Sequence, residues 1–135
     1  MSKSNAFEND VVLFTFNATA IAGIGGNLFV SLHSADPGEA GDQTTNEISY
    51  TGYARVSVPR DNTGWTVSGN SSQNAVQVQF GTCTAGSTTA THFAIGTSVS
   101  GAGKVLYKGI LNSALNISAN ITPLFNAGAL QVTEE

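Results

Sequence analysis

The sequence predicts a mainly β protein, an antiparallel β-sandwich or jelly-roll-like barrel preceded by a short N-terminal helix or arm. Short runs of alternating apolar and polar residues recur about every eight to twelve residues, and Gly, Pro, Asn and Asp separate them. No strand alternates with a helical pattern, so a parallel sheet is not expected. A length of 135 residues suits one domain.

The first 26 residues are predicted to form a helix or arm that ends in a Gly-rich turn. Ser4 or Asn5 can cap the helix, and Glu8 complements its positive end. Apolar residues recur three and four positions apart, at Phe7, Val11, Phe14 and Ala18. The β-branched residues in this segment favour a strand or an extended arm instead, and both alternatives stay open.

Residues 27–135 are predicted to form a single β-sandwich domain. Alternation of apolar and polar residues places strands at 27–34, 48–59, 65–68, 75–80, 90–96, 104–111, 117–121 and 128–132. Residues 35–47 contain Pro37, two glycines and four acids, which predicts a long exposed loop. The turn residues at 60–64 predict a hairpin between the strands on either side.

The chain has few charges. Lys and Arg number 5, Asp and Glu number 9, and Ser, Thr and Asn together supply 41 residues. No formal charge occurs in the 42 residues 62–103 or in the 25 residues 109–133. Exposed strands of monomers usually carry charges that discourage edge pairing, so these runs indicate surfaces covered by other chains. A Thr-rich β protein that tolerates neutral surfaces is the alternative.

This composition excludes several classes of protein. A hydrophobic content of 41 % with a net charge of −4 does not suit a disordered chain. The longest weakly polar stretch is too short and too interrupted to span a bilayer, and five cationic residues offer little to nucleic acid. The single cysteine, Cys83, excludes an internal disulfide. No basic leader precedes an apolar segment, so we expect synthesis in a cytoplasm.

No catalytic, metal or cofactor site is predicted. Cys83, His92 and an aspartate could form a nucleophile and its base, but their spacing matches no known arrangement. Four acids in the 35–47 loop could bind a cation, but they lack the order of an EF-hand, so a solvated loop is the simpler interpretation.

One aromatic and basic group is a candidate interaction surface. It comprises Tyr50, Tyr53, Arg55, Arg60 and Trp65. Aromatic residues and arginine are enriched at the energetic centres of protein interfaces. The same residues could instead pack the core or a hairpin, or stack against a sugar, and the sequence leaves these alternatives open.

Several motifs resemble a widespread family of small structural proteins of tailed phages and prophages. They are the run from Leu32 to Gly41, the triplet Asn46-Glu47-Ile48, the run Gly52 to Val56, the strand Thr91 to Ile95, the strand Gly103 to Gly109, and the closing segment Phe125 to Thr133. The resemblance covers nearly the whole chain. Members of this family are often labelled tail-fibre proteins, and proteins of this size also resemble the decoration or cement proteins of phage heads.

The resemblance implies a virion structural protein without enzymatic activity. Because the chain has no repeat and no shaft, we expect a capsid decoration protein on the capsid surface, made in the host bacterial cytoplasm, that binds and stabilises the assembled head. Its expected partners are the lattice of the major capsid protein and other copies of itself, as a homotrimer, with no nucleic acid and no membrane. The alternative is a tail or tail-fibre-associated protein that binds the host surface.

Overall fold

The computed structural model describes residues 2–135, and Met1 lies outside the described residues. Its elements are β1 (Ser2–Lys3), α1 (Asn5–Asn17), β2 (Asn27–His33), β3 (Val56–Pro59), β4 (Trp65–Ser68), β5 (Ser71–Asn74), β6 (Val78–Gln79), β7 (Thr88–Gly96), β8 (Val105–Ile117), β9 (Leu124–Phe125) and β10 (Gln131–Thr133). They form a five-stranded sheet, β1-β8-β7-β2-β3, a three-stranded sheet, β10-β5-β4, and the two-stranded ribbon β6-β9. All strand pairs are antiparallel. The prediction of a mainly β, antiparallel, sandwich-like fold with a short N-terminal helix is therefore confirmed.

Helix α1 begins at a side-chain cap. Ser4 has an extended backbone, and its hydroxyl accepts a hydrogen bond from the Phe7 N–H at 3.3 Å. The helix ends where Ala18 adopts a left-handed conformation with φ 53° and donates its N–H to the Leu13 carbonyl. The helical alternative for this segment is therefore right. The division of the chain at residue 26 stays a prediction.

The core lies against one face of the five-stranded sheet. Val30 and Leu32 of β2 are fully buried and stand opposite Ile95 and Phe93 of β7 in the register. The same face continues onto Val58 of β3. The predicted alternation of β2 is thus confirmed, because residues two apart in a strand point to the same side.

The other face of β2 is covered by the loop at 35–47. Ser31 and His33 have no exposed surface, although a two-layer sandwich would leave this face in solvent. The loop folds back, so that Ser34 N–H donates to the Asn46 carbonyl and Ile48 N–H donates to the Leu32 carbonyl. The expectation of an exposed loop is wrong for Pro37 and Gln43, which are buried.

The 60–64 turn connects two different sheets. β3 pairs with β2 in the larger sheet, whereas β4 pairs with β5 in the smaller one. The expected hairpin between the strands flanking this turn is therefore wrong. The hairpin that does form joins β4 to the polar strand β5, which has no apolar alternation to reveal it.

Several strand boundaries also differ from the prediction. Only Val56–Pro59 is a strand within 48–59, only Val78–Gln79 is a strand within 75–80, and β8 extends to Ile117 and leaves 118–121 outside the strands. Within residues 2–135, no helix is long and apolar enough to cross a bilayer.

Candidate functional site

The five residues predicted as an interaction surface do not lie together. Tyr50 is buried, and its hydroxyl donates to the Gly81 carbonyl at 2.7 Å. Its ring meets the edge of Tyr53 at 5.5 Å, and Tyr53 stacks on Phe80 at 6.1 Å. Both tyrosines thus pack within the core of the chain. Contact of these residues with another protein stays a prediction.

Arg55 joins two loops inside the domain. Its guanidinium binds both carboxylate oxygens of Glu47, at 2.7 and 2.9 Å, and donates to the carbonyls of Ser98 and Gly101 at 3.0 and 2.7 Å. The Tyr53 hydroxyl donates to the same carboxylate at 2.8 Å. The hydrogen bonds to Glu47 raise the pKa of Arg55. Arg55 therefore holds the end of the 35–47 loop against the turn between β7 and β8.

Arg60 and Trp65 are the two predicted residues that share a site. They line a groove between the five-stranded and the three-stranded sheets, with a cavity volume of about 700 Å³. Arg60 is exposed, and its Nε donates to the Gly25 carbonyl at 2.6 Å. Trp65 is buried, and its Nε1 has no hydrogen-bond partner among residues 2–135.

The groove has apolar walls and a polar rim. Its apolar lining residues are Leu28, Trp65, Val67, Ile95, Tyr107 and Val132, and the rim includes Arg60, Asp61, Asn62, Asn70 and Glu134. The exposed fraction of Val67 is 71 %. A concave apolar surface with few polar groups is typical of a binding site. The sequence did not predict this groove, because its walls come from six separate strands.

Helix α1 carries a second uncovered apolar surface. Phe7 is the helix residue that is buried, with its ring 5.5 Å from that of Tyr107. Beyond it the exposed fractions are 54 % at Val12, 58 % at Phe14 and 79 % at Phe16. Val11 and Phe14, which follow Phe7 at helical spacing, thus do not share its burial. The sequence contains one indication of this uncovered surface: residues 11–35 have no charged side chain.

The acids of the 35–47 loop each have protein partners. Asp36 and Glu39 bind the Lys108 ammonium at 3.0 Å each. The backbone N–H of Gly38, and then Lys108, lower the pKa of Asp36. Asp42 accepts from Thr44, and Glu47 is held by Arg55. Among the residues that the structure describes, no cluster of His, Cys, Asp and Glu is arranged to hold a metal ion.

The groups considered for catalysis have separate local partners. Cys83 is fully buried, with its thiol directed at the carbonyls of Ala85 and Gly86. The Nδ1 of His92 lies 2.8 Å from the Thr91 hydroxyl. A Ser31–His33 pair, 2.8 Å apart, has the geometry of a nucleophile and base, but both side chains are completely buried. Burial lowers the pKa of His33 by disfavouring its charged form.

The comparisons with known proteins agree with the phage resemblance. Residues 2–133 match the model of the family Gp80, described as "Podophage GP4 fiber I protein gp80". No curated protein matches the sequence. The match extends across the helix, both sheets and all the motifs on which the resemblance rests. The chain therefore belongs to the Gp80 family of podophage structural proteins.

Proposed function

We propose that this protein is a structural subunit of a phage tail fibre and that it acts by binding other virion proteins and copies of itself. The family match over residues 2–133 carries the proposal, because the family is described by a fibre protein. The uncovered apolar surfaces of α1 and of the groove support it, since subunits of an assembly keep such surfaces for their neighbours.

The proposed role is non-catalytic. The buried Ser31–His33 pair offers no access to a substrate, and Cys83 is enclosed in the core. The neutral runs 62–103 and 109–133 suit contacts that depend little on salt, because interactions between neutral groups are not screened. Such contacts would stabilise an assembly by binding free energy alone.

The capsid decoration role is the second candidate. One observation favours it: residues 2–135 form sheets that share one core, and the sequence has no shaft-like repeat. In that role the protein would bind the lattice of the major capsid protein, most simply as a homotrimer at three-fold positions on the capsid surface. A module that binds the host surface is a variant of the fibre role.

The location of the chain in the virion separates the two roles. Purified virions would be dissociated into DNA-filled heads and tails with their fibres, and the chain quantified in each fraction by mass spectrometry. We expect it in the tail fraction, at a low and fixed copy number per virion. Tailless heads that carry it at a copy number near saturation of the lattice would overturn the fibre proposal and establish decoration.

A further inference from the structure

The exposed half of α1 is mostly apolar, with Thr15 and Asn17 as its polar residues. The segment from Val11 to Asn17 contains Val12, Phe14 and Phe16, whose exposed fractions all exceed half, and it carries no charge. Large apolar side chains grouped on a surface mark a contact site for another surface. Within the chain, α1 packs on β8 through its first turns, by Phe7 and by an ion pair between Asp10 and Lys104. The rest of the helix thus lacks a covering surface.

The start of the helix and the chain that follows it are held to the body of the domain. At the start, Ser4 donates to the Val105 carbonyl and Asn5 N–H donates to the Glu39 carbonyl at 2.8 Å. Eight residues after the helix ends at Asn17, the Gly25 carbonyl accepts from the Arg60 side chain, and the Gly26 carbonyl accepts from the Arg60 N–H at 2.9 Å. None of the α1 residues lines the groove. In this structure the helix therefore lies outside the groove of its own chain.

The groove has the chemistry that this helix requires. Its walls are aromatic and aliphatic, and the charged groups Arg60, Asp61 and Glu134 lie among its lining residues, where they can remain hydrated at the rim. An apolar helix laid into a hydrophobic groove is a common mode of recognition between proteins. Since residues 11–35 carry no charge, docking this segment desolvates no ion of the helix, which avoids the largest cost of burial.

We propose that the exposed half of α1 from one copy docks in the groove of a second copy of this chain. The proposal rests on the proposed function to the extent that the function includes binding between copies. A specific interface buries roughly 800 Å² per partner. Each of Phe14 and Phe16 presents on the order of 200 Å² at most. In a reciprocal pair two helix–groove contacts form one interface, so the area buried per partner is twice that of a single contact.

The contact joins two different surfaces, and this sets the form of the assembly. Copies joined helix to groove form a ring or a reciprocal pair if the rotation between them closes, and an open filament if it does not. We expect closure. No apolar helix or groove then remains uncovered. A homotrimer, the expected oligomer, is one such ring.

Disulfide trapping between two variants tests the contact directly. One preparation carries Phe16→Cys and the other Val67→Cys, while Cys83 stays fully buried in both. We expect oxidation of the mixture to give a covalent dimer that contains one chain of each kind. The matched control replaces Val67→Cys by Ile110→Cys, because Ile110 has an exposed fraction of 72 % against 71 % for Val67 but does not line the groove. Equal trapping in both mixtures would overturn the proposal.

A double variant excludes docking within one chain. Phe16→Cys and Val67→Cys are combined in one protein and oxidised at high dilution. We expect no intrachain disulfide. Its efficient formation would show that the helix occupies its own groove, and this would also overturn the proposal.

Sedimentation of the purified chain measures the strength of the contact. We expect the unmodified protein to be oligomeric and Phe16→Ser to weaken association by at least about tenfold, the loss typical of an aromatic anchor. Val99→Ser, at a comparably exposed position outside the helix and the groove, is expected to leave association unchanged. A monomeric wild-type chain at 100 µM would contradict the inference. These measurements use the isolated protein, so their failure is distinct from finding the chain in the head fraction.

Discussion

Arg55 and Glu47 form a bidentate ion pair inside the domain, with Nε and Nη2 at 2.7 and 2.9 Å from the two carboxylate oxygens. The Arg55 side chain is almost completely buried and also donates a hydrogen bond to each of two carbonyl groups in the turn between β7 and β8. One side chain thus connects the end of the 35–47 loop to a turn that lies 43 to 46 residues beyond Arg55 in the sequence. Its loss would leave a partly buried carboxylate and two carbonyls without their donor.

Arg55→Ala is expected to lower the free energy of unfolding by about 3–5 kcal/mol, because removing one partner of a buried pair leaves the other uncompensated. Arg55→Lys should also destabilise, since an ammonium cannot form the fork that binds both oxygens. Arg60→Ala, at an exposed position, is the control and should change stability by less than about 1 kcal/mol. Urea unfolding measures all three variants. Equal effects of Arg55→Ala and Arg60→Ala would contradict this role.

The stability of the protein should depend on pH through His33. Burial lowers the pKa of this imidazole below its usual 6.5, so the unfolded chain binds a proton more readily than the folded one. The contribution is complete above pH 6.5 and is lost as the pH falls from there toward the lowered pKa. We expect the urea midpoint to fall between pH 7 and pH 5, and His33→Gln to reduce that fall.

The carboxylates act in a different pH window. Asp36, Glu39 and Glu134 have their pKa lowered from the usual 3.8 or 4.5 by hydrogen bonds and ion pairs, so their contribution is lost only below those values. The interval from pH 5 to 6.5 therefore isolates the histidine. A midpoint that stays constant over this interval in the unmodified protein would show that His33 is not held neutral by the fold.

Gly52 is expected to tolerate no side chain. Its φ is 106°, and a Cβ atom would lie 2.3 Å from the Thr82 carbonyl oxygen. Gly52→Ala therefore combines backbone strain with a collision against the main chain. It should lower the free energy of unfolding by about 3 kcal/mol. Gly38 has φ 80° but open space around its Cβ position, so Gly38→Ala should cost only about 1–2 kcal/mol. Thermal unfolding measures the stability of both variants. Similar losses of stability would show that the collision of the Cβ atom at Gly52 contributes nothing.

The indole nitrogen of Trp65 should be dispensable, although its ring is not. Nε1 is buried without a hydrogen-bond partner among the described residues, so Trp65→Phe removes an unsatisfied donor together with part of the ring. We expect a change within about 1.5 kcal/mol for Trp65→Phe and a loss of about 3–5 kcal/mol for Trp65→Ala. Chemical unfolding measures both. A large loss in Trp65→Phe would indicate a bound partner for Nε1.

Local patterns allowed much of the fold to be predicted. Three features depend only on neighbours in the sequence: the alternation of apolar and polar residues in β2, the Ser4 cap of α1 and the absence of any strand–helix alternation. The same reasoning misplaced the strands at 48–59 and 75–80, where the flanking glycines and distant partners decide which residues pair. It also missed β5, because Ser71–Asn74 is polar and pairs on both sides with strands of the smaller sheet.

The candidate site was predictable only in part. Arg60 and Trp65 lie in the groove, but Tyr50, Tyr53 and Arg55 are near them only in the sequence. Aromatic residues and arginines occur both at interfaces and in the core, so their presence in the sequence does not distinguish the two. Burial, which depends on long-range packing, separates the two, and no pattern within 16 residues contains that information.

The sequence alone was enough to establish the class of the protein: a charge-poor, mainly β chain with a capped N-terminal helix and phage-type motifs. These features could be predicted because composition, the spacing of apolar residues and helix caps are local properties. Tertiary structure decided which apolar residues have a covering surface. Phe7, Val11 and Phe14 recur at helical spacing in α1, yet packing on β8 buries Phe7 and leaves Phe14 and Phe16 in solvent. A hydrophobic residue is stabilised by whichever surface excludes water from it, and only the folded chain shows that Phe14 and Phe16 have no such surface among residues 2–135.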